Sequence, residues 1–229
     1  MKILIASRFK RNEKIKEFLI NKMSKYDVIN IKSDYELSDE NLRSISPDWI
    51  FFPHWGSKIS RSIFEKYKCV IFHMTDLPYG RGGSPLQNLI VRGHTMTKLS
   101  AIKCVEEMDA GDIYLQRNLS LKGTAEEIFS RASILMQEMI FEIVQKNIVP
   151  FEQQGKVVRF KRRKRAESNV TDLSNLELVF DYIRMLDAEG YPKAYIETEN
   201  LSFEFSSADL KSSEELHAKV KITKRIRNE

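Results

Sequence analysis

Four short apolar runs in the first third of the chain, KILIAS (2–7), DVINI (27–31), DWIFF (48–52) and CVIFHM (69–74), constrain the fold more than any other feature. Each is too short for a globular helix and nearly unbroken in its hydrophobicity, which is the pattern of a strand covered on both faces. Between the first two lies a segment, from about Asn12 to Ser24, in which Ile15, Phe18, Leu19 and Met23 recur at helical spacing. Strands alternating with helices predict an α/β fold with a mostly parallel sheet. In such sheets ligands bind beyond the carboxyl ends of the strands, where strand order reverses. That rule lines up Ser7-Arg8, Pro53-His54-Trp55-Gly56 and His73-Met74-Thr75 along one rim.

Two further strands are expected over 99–105 and 113–121. A long helix follows from Thr124, opened by a capping box of Thr124 and Glu127 and carrying a core stripe of Ile128, Ala132, Leu135, Met139 and Ile143. At Pro150 the character changes: residues 150–168 are polar and basic, and KRRKR (161–165) reads as part of a linker. The remainder offers one helix over 176–186 and short strands near Ala194, Phe203 and Val220. The expected organisation is therefore a main domain over 1–150, a basic linker over 151–168 and a small α+β C-terminal appendage over 169–229.

A chain of 229 residues, 42% hydrophobic and 30% charged, can bury a substantial core. No apolar run reaches the roughly 18 residues of a membrane span. MKILIAS meets charge too soon for a signal peptide, so a cytoplasmic protein without a membrane partner is expected. Cys69 and Cys104 both sit in apolar runs and are expected as buried free thiols. The net charge of +5 suits an anionic partner, whether nucleotide, phosphorylated sugar or RNA.

The residues that carry chemistry concentrate between Cys69 and Asp112. A histidine closes one strand, a turn rich in Pro and Gly follows, and Asp109 and Asp112 come after the next strand. From His73 onward, HMTDLPYGRGGSPLQ resembles the signature of the folate-dependent formyltransferase family, methionyl-tRNA formyltransferase-like, in which an N-x-H precedes a Ser-Leu-Leu-Pro-like turn and an R-G. The likeness continues through Gly93 to Thr97 and VEEMDAGDI, and covers most of residues 47–145. It implies a Rossmann-like domain that moves a formyl group from the cosubstrate 10-formyltetrahydrofolate to an amine, without a metal. By this resemblance His73 stands for the catalytic histidine and Asp109 for the catalytic aspartate. The family's asparagine two residues before the histidine is Ile71 here, and His54, on the same rim, is the expected replacement. The pterin is expected against backbone groups of Trp55, Ser57, Lys58 and Ile59, and of Cys104, Val105, Glu106 and Met108.

The acceptor amine is read from the flanks. Ala6-Ser7-Arg8-Phe9 lacks the glycine-rich phosphate loop of the purine-pathway enzymes. YIRMLDAEGYPKAYI (182–196) is similar to the short C-terminal region of nucleotide-sugar N-formyltransferases, which make formamido sugars for surface polysaccharides. A nucleotide-linked amino sugar is accordingly the expected substrate, with Arg81 and Gly82 beside the amine. Arg8, Arg81, Lys161 and Arg163 would suit the diphosphate, and Tyr191 or Tyr195 would stack on the base. A homodimer paired through the C-terminal strands is expected with it. Transfer RNA is disfavoured, because the appendage looks too small for the barrel that grips it. Methionyl-tRNA formylation and a non-catalytic RNA- or nucleotide-binding relic stand as the alternatives.

Overall fold

The computed structural model describes residues 1–225, and its chain divides into two compact units built from interleaved segments. The first comprises Met1–Gly82, Thr97–Leu119 and Phe129–Arg159, and the second Gly83–Met96, Ser120–Ile128 and the chain from Phe160 on. This differs from the expected contiguous split at 150 and 168. Residues 151–159 belong with the first unit because Phe151 bridges to Ile113 and the Val158 N–H donates to the Pro78 carbonyl.

In the first unit the sheet runs β1 (Lys2–Ala6), β2 (Asp27–Ile31), β3 (Trp49–Phe52), β4 (Lys68–His73), β6 (Met96–Lys103) and β7 (Ile113–Ser120), with β5 (Tyr79–Gly82) outside it. Its spatial order is β2-β1-β3-β4-β6-β7. The first four strands are parallel, and β6 runs antiparallel to β4. The continuous apolar runs are explained by burial on both faces: Ile3, Leu4, Ile5 and all of Trp49 to Phe52 are buried. Phe51 stacks against Trp49 at 5.6 Å and Phe72 at 6.4 Å between centroids. The helix Glu13–Lys22 lies against β2 and buries Ile15 and Leu19, as its periodicity predicts.

Strand order reverses between β1 and β3, and a polar hub fills the rim there. Asn12, 2% exposed, donates from Nδ2 to Ser7 Oγ at 2.6 Å and to the Pro53 carbonyl at 3.2 Å, while its Oδ1 accepts from Ser133 Oγ at 2.6 Å. His54 joins the same hub. Its Nδ1 lies 3.2 Å from Asn12 Nδ2, and its ring meets Phe9 and Phe129 edge-on at 6.5 and 5.1 Å. Nε2 is shut off from solvent without a hydrogen-bond partner. Although part of the residue surface is exposed, both ring nitrogens face inward, and burial with the nearby Arg11 charge pushes the imidazole from 6.5 down to about 3.

In the second unit the helix Leu176–Arg184 packs on an antiparallel sheet of Ala194–Glu197, Leu201–Leu210 and Leu216–Lys224, close to the expected elements. Arg184 is buried and donates to the carbonyls of Leu121 at 2.7 Å and Gly123 at 3.0 Å, which draws 120–128 into this unit. Gln87 Nε2 reaches the Met185 carbonyl at 3.1 Å. The basic run is tied to this unit by its backbone and two of its guanidiniums, although Lys161, Arg162, Lys164 and Arg165 are exposed. Asn88 Nδ2 donates to the Lys161 carbonyl at 3.0 Å, and a Cβ on Gly83 would sit 2.6 Å from Arg162 Cα. The Arg163 and Arg165 guanidiniums cover the rings of Tyr182 and Tyr195 at 5.2 and 5.1 Å. Tyr195 is itself 8% exposed, so it does not offer a free face for a base.

Two outcomes follow from this packing. Phe51→Ala should lower the free energy of unfolding in urea by about 3–5 kcal/mol, because it empties a stacked, fully buried site; a loss below about 1 kcal/mol would contradict that packing. His54 has a native-state value below its unfolded one, so its contribution is complete above pH 6.5 and is lost as pH falls toward 3. Across that window the unfolded chain binds the proton first. Wild-type stability should therefore fall by about 1 kcal/mol per pH unit relative to His54→Gln, and parallel pH profiles for the two proteins would show that His54 is not held neutral.

Candidate active site

The sequence ends β4 at His73, and the following turn returns the chain over that side chain. His73, 7% exposed, places Nε2 2.7 Å from the Gly80 carbonyl oxygen. A carbonyl only accepts, so Nε2 carries the hydrogen of this bond and Nδ1 is left facing outward from it. Asp109 Oδ1 stands opposite Nδ1 at 3.5 Å. Its second oxygen, Oδ2, accepts the Gly82 N–H at 2.8 Å. The turn between His73 and Gly82 therefore grips both members of the pair through its own backbone.

Asp109 reaches this position from the loop between β6 and β7 with φ at +55°, a region that few side chains adopt. The loop closes tightly beyond it. A Cβ on Gly111 would lie 1.8 Å from the Lys103 carbonyl oxygen, so that position must be glycine. Asp109 is 9% exposed, which removes water from the pair and strengthens any charge interaction made there. At 3.5 Å the two groups are beyond a good hydrogen bond. Neither is consumed by the other, and both remain able to engage a third polar atom.

Ile71 projects from the same face of β4 two residues earlier and packs against the buried cluster of Leu77, Ile102 and Ile113. It contributes no donor. His54 does not supply one either. Its hydrogen-bond and ring partners are Asn12, Phe9 and Phe129, and not His73 or Asp109 as the sequence led us to expect. The cause is the hub at the β1/β3 reversal, which satisfies Nδ1 away from the pair.

The two loops expected around the pterin do converge. Lys58 Nζ and Glu106 Oε1 are 3.8 Å apart across them, and Ile59 and Cys104 share one buried cluster with Trp55 and Phe64 packed on it. Trp55 Nε1 is buried with no hydrogen-bond partner. Ser57 bridges Arg8 and Asp34, and Met108 is 66% exposed. A cleft of about 1010 Å³ is lined by Phe64, Cys69, Cys104, Val105 and Glu106, together with Trp49 and Tyr114. His73 and Asp109 are not among its lining residues. Both cysteines are free; burial holds the Cys69 thiol well above its ordinary range and raises Cys104 to about 11, so neither is a ready nucleophile.

The residues expected to hold an acceptor are differently engaged. The Arg8 guanidinium pairs with Asp34 and lies 4.6 Å from the Trp55 ring centroid. Arg81, 11% exposed in its side chain, donates from Nε and Nη2 to Gln153 Oε1 at 3.0 and 2.8 Å. Gly82 contributes its N–H to Asp109, and Tyr191 is half-buried in the second unit. Three contributors escaped the sequence reading: Asn12, Gly80 and Gln153. Gly80 acts through its carbonyl, for which residue type gives no signal. Gln153 lies in a stretch whose polar composition resembles a linker.

Against known proteins, residues 165–223 match the family model described as the methionyl-tRNA formyltransferase C-terminal domain. A methionyl-tRNA formyltransferase structure from Clostridium thermocellum superposes with a TM-score of 0.95 at 47% identity, covering 98% of this chain and 100% of that one. A curated methionyl-tRNA formyltransferase from Ureaplasma urealyticum is 29% identical over 59% of this chain. The chain spans about half the length of the curated relatives it matches, 47% in this case. HypX from Aquifex aeolicus, solved in complex with tetrahydrofolic acid, shares the fold at 19% identity and a TM-score of 0.73, covering 91% of this chain and 38% of that one. These likenesses overturn the expected nucleotide-linked amino sugar and its setting in surface-glycan synthesis. The small appendage, taken as evidence against transfer RNA, is the part that the C-terminal-domain model matches, and the Clostridium thermocellum protein has the same extent. The chain belongs to the formyltransferase family.

Proposed function

We propose that this protein transfers the formyl group of 10-formyltetrahydrofolate to the α-amine of methionyl-tRNA. The observation that carries the reading is the full-length likeness to the Clostridium thermocellum methionyl-tRNA formyltransferase. The geometry of His73 and Asp109 supports it. The loops of residues 55–59 and 104–108 fit a pterin: they pair an apolar wall of Ile59, Phe64 and Cys104 with the unpartnered Trp55 Nε1. Tetrahydrofolate is bound by the related HypX fold, which is consistent with that assignment. The cosubstrate supplies an activated formyl carbon.

In this reading the amine nitrogen sits beside His73 Nδ1 and Asp109 Oδ1, which stand 3.5 Å apart, within hydrogen-bond reach of both. With its hydrogen on Nε2, the imidazole offers Nδ1 as an acceptor, and Oδ1 is a second acceptor beside it. As the nitrogen bonds to the formyl carbon it becomes positive, and the buried carboxylate stabilises that charge. The proton it sheds passes to the pair. A protonated His73 then presents a donor toward the formyl oxygen while Asp109 balances its charge, which makes up for the side-chain donor absent at Ile71. The proton finally leaves with the departing folate nitrogen as the carbon–nitrogen bond breaks.

The partner should be held by exposed cations of the C-terminal sheet. Lys219 and Lys221 are exposed on one face of the strand Leu216–Lys224, within the segment that matches the C-terminal-domain model. Phosphate contacts of this kind make affinity depend on salt.

Three measurements check the proposal. Incubated with 10-formyltetrahydrofolate, the protein should release tetrahydrofolate in step with added methionyl-tRNA and not with uncharged tRNA; no release with the charged form would overturn the reading. His73→Gln should lower kcat by about 10²–10⁴-fold with an unchanged circular dichroism spectrum, whereas a kcat within about threefold of wild type would remove His73 from the chemistry. Converting Lys219 and Lys221 to Glu should raise the KM for tRNA by on the order of tenfold or more and leave the KM for folate unchanged. Equal changes in both constants would argue for misfolding instead of lost RNA contacts.

A further inference from the structure

Asp109 can serve the reaction only if its loop stays folded, and the contacts that hold it come from a residue far along the chain. Gln153 Nε2 donates to the Asp109 carbonyl and to the Gly111 carbonyl, each at 2.8 Å. Its Oε1 accepts from Arg81 Nε at 3.0 Å and Nη2 at 2.8 Å. Arg81 immediately precedes Gly82, whose N–H holds Asp109 Oδ2. One amide thus joins the backbone of Asp109 to the turn that grips its carboxylate. Arg81 also approaches Glu107 Oε1 at 3.5 Å, and Arg159 Nη2 reaches the same oxygen at 2.5 Å, so a second tie spans the same loop.

The chemistry of these contacts selects an amide. Two backbone carbonyls need donors and a guanidinium needs an acceptor, and glutamine supplies both from one planar group. A glutamate could accept from Arg81 but would turn an anion toward two carbonyl oxygens. Asp109 has φ at +55° and Gly111 is pressed against Lys103, so the loop lies in a conformation that it would not keep unaided. Arg81, expected from the sequence to face the acceptor, is instead committed to this clamp.

We infer that Gln153 is a positioning residue for Asp109, holding the 104–112 loop so that the carboxylate stands opposite His73. The assignment rests on the proposed role of Asp109 in formyl transfer. Small displacements of a reacting group cost large factors in rate, on the order of 100-fold for about 1 Å. The loss should fall on kcat and not on the KM for methionyl-tRNA, since Gln153 makes its contacts with Asp109, Gly111 and Arg81, away from the lysines proposed to meet RNA.

The test compares wild type with Gln153→Ala and Gln153→Glu in the full chain, by hydrogen–deuterium exchange and by steady-state kinetics with 10-formyltetrahydrofolate and methionyl-tRNA. Both variants should exchange faster across residues 104–112 with β1 and β3 unchanged. Both should lose on the order of 100-fold in kcat while the KM for methionyl-tRNA stays within about threefold. Unchanged exchange in the loop would overturn the clamp. Faster exchange with an undiminished kcat would overturn its role in positioning. If wild type itself fails to turn over, the functional reading falls and the exchange comparison alone decides whether Gln153 holds the loop.

Discussion

The carboxylate of Asp109 is held against its own backbone preference, and much of the first unit is arranged to make that possible. A residue at φ +55° persists only when its surroundings determine it. Here the Gly82 N–H fixes one oxygen, Gln153 fixes the main-chain carbonyl, and Lys103 leaves room for nothing larger than glycine two residues on. His73 is fixed by the same turn through the Gly80 carbonyl. The pair is therefore presented by backbone groups of one short segment, and the distance between its members is set before any substrate arrives.

The sheet explains why that segment lies where it does. β4 enters parallel to β3 and delivers His73 at its carboxyl end, while β6 returns antiparallel beside it, with Ser100 opposite His73 and Lys103 opposite Val70. The chain that leaves β6 must double back along the face of β4 to bring Asp109 to His73. Nine residues, 104–112, make that return, and this short reach accounts for both the strained residue and the obligatory glycine. The same path brings Cys104 next to Ile59, so the loops proposed for the pterin meet as a consequence of the strand order.

The sequence was most legible where physics is local and repetitive. Continuous apolar runs gave the buried strands almost to the residue, the Thr124–Glu127 capping box is formed as expected, and the three C-terminal strands are present. The ordered motif around His73 and Asp109 gave the family and the pair. What was not legible depended on contacts distant in sequence. His54 looked free on the rim because its partners, Asn12 and Phe129, lie 42 and 75 positions away, and the hub that buries it has no local signature. The polar stretch after Pro150 looked like a linker because its composition is that of one, yet Gln153 reaches back 44 residues to Asp109, and the basic run packs on Gly83, Tyr182 and Tyr195. The acceptor was misjudged for a related reason. Appendage size alone points away from RNA, whereas residues 165–223 match the methionyl-tRNA formyltransferase C-terminal-domain model.

On the proposed mechanism Asp109 takes part in the chemical step and not in holding the folate or the tRNA. Single-turnover formyl transfer to methionyl-tRNA by Asp109→Asn tests it most directly, since the amide keeps the shape of the carboxylate and can still accept the Gly82 N–H. The account predicts a transfer rate reduced by about 10²–10⁴-fold, with the affinities for folate and tRNA within about threefold of wild type. A transfer rate like that of the wild type, or a loss confined to substrate affinity, would contradict it.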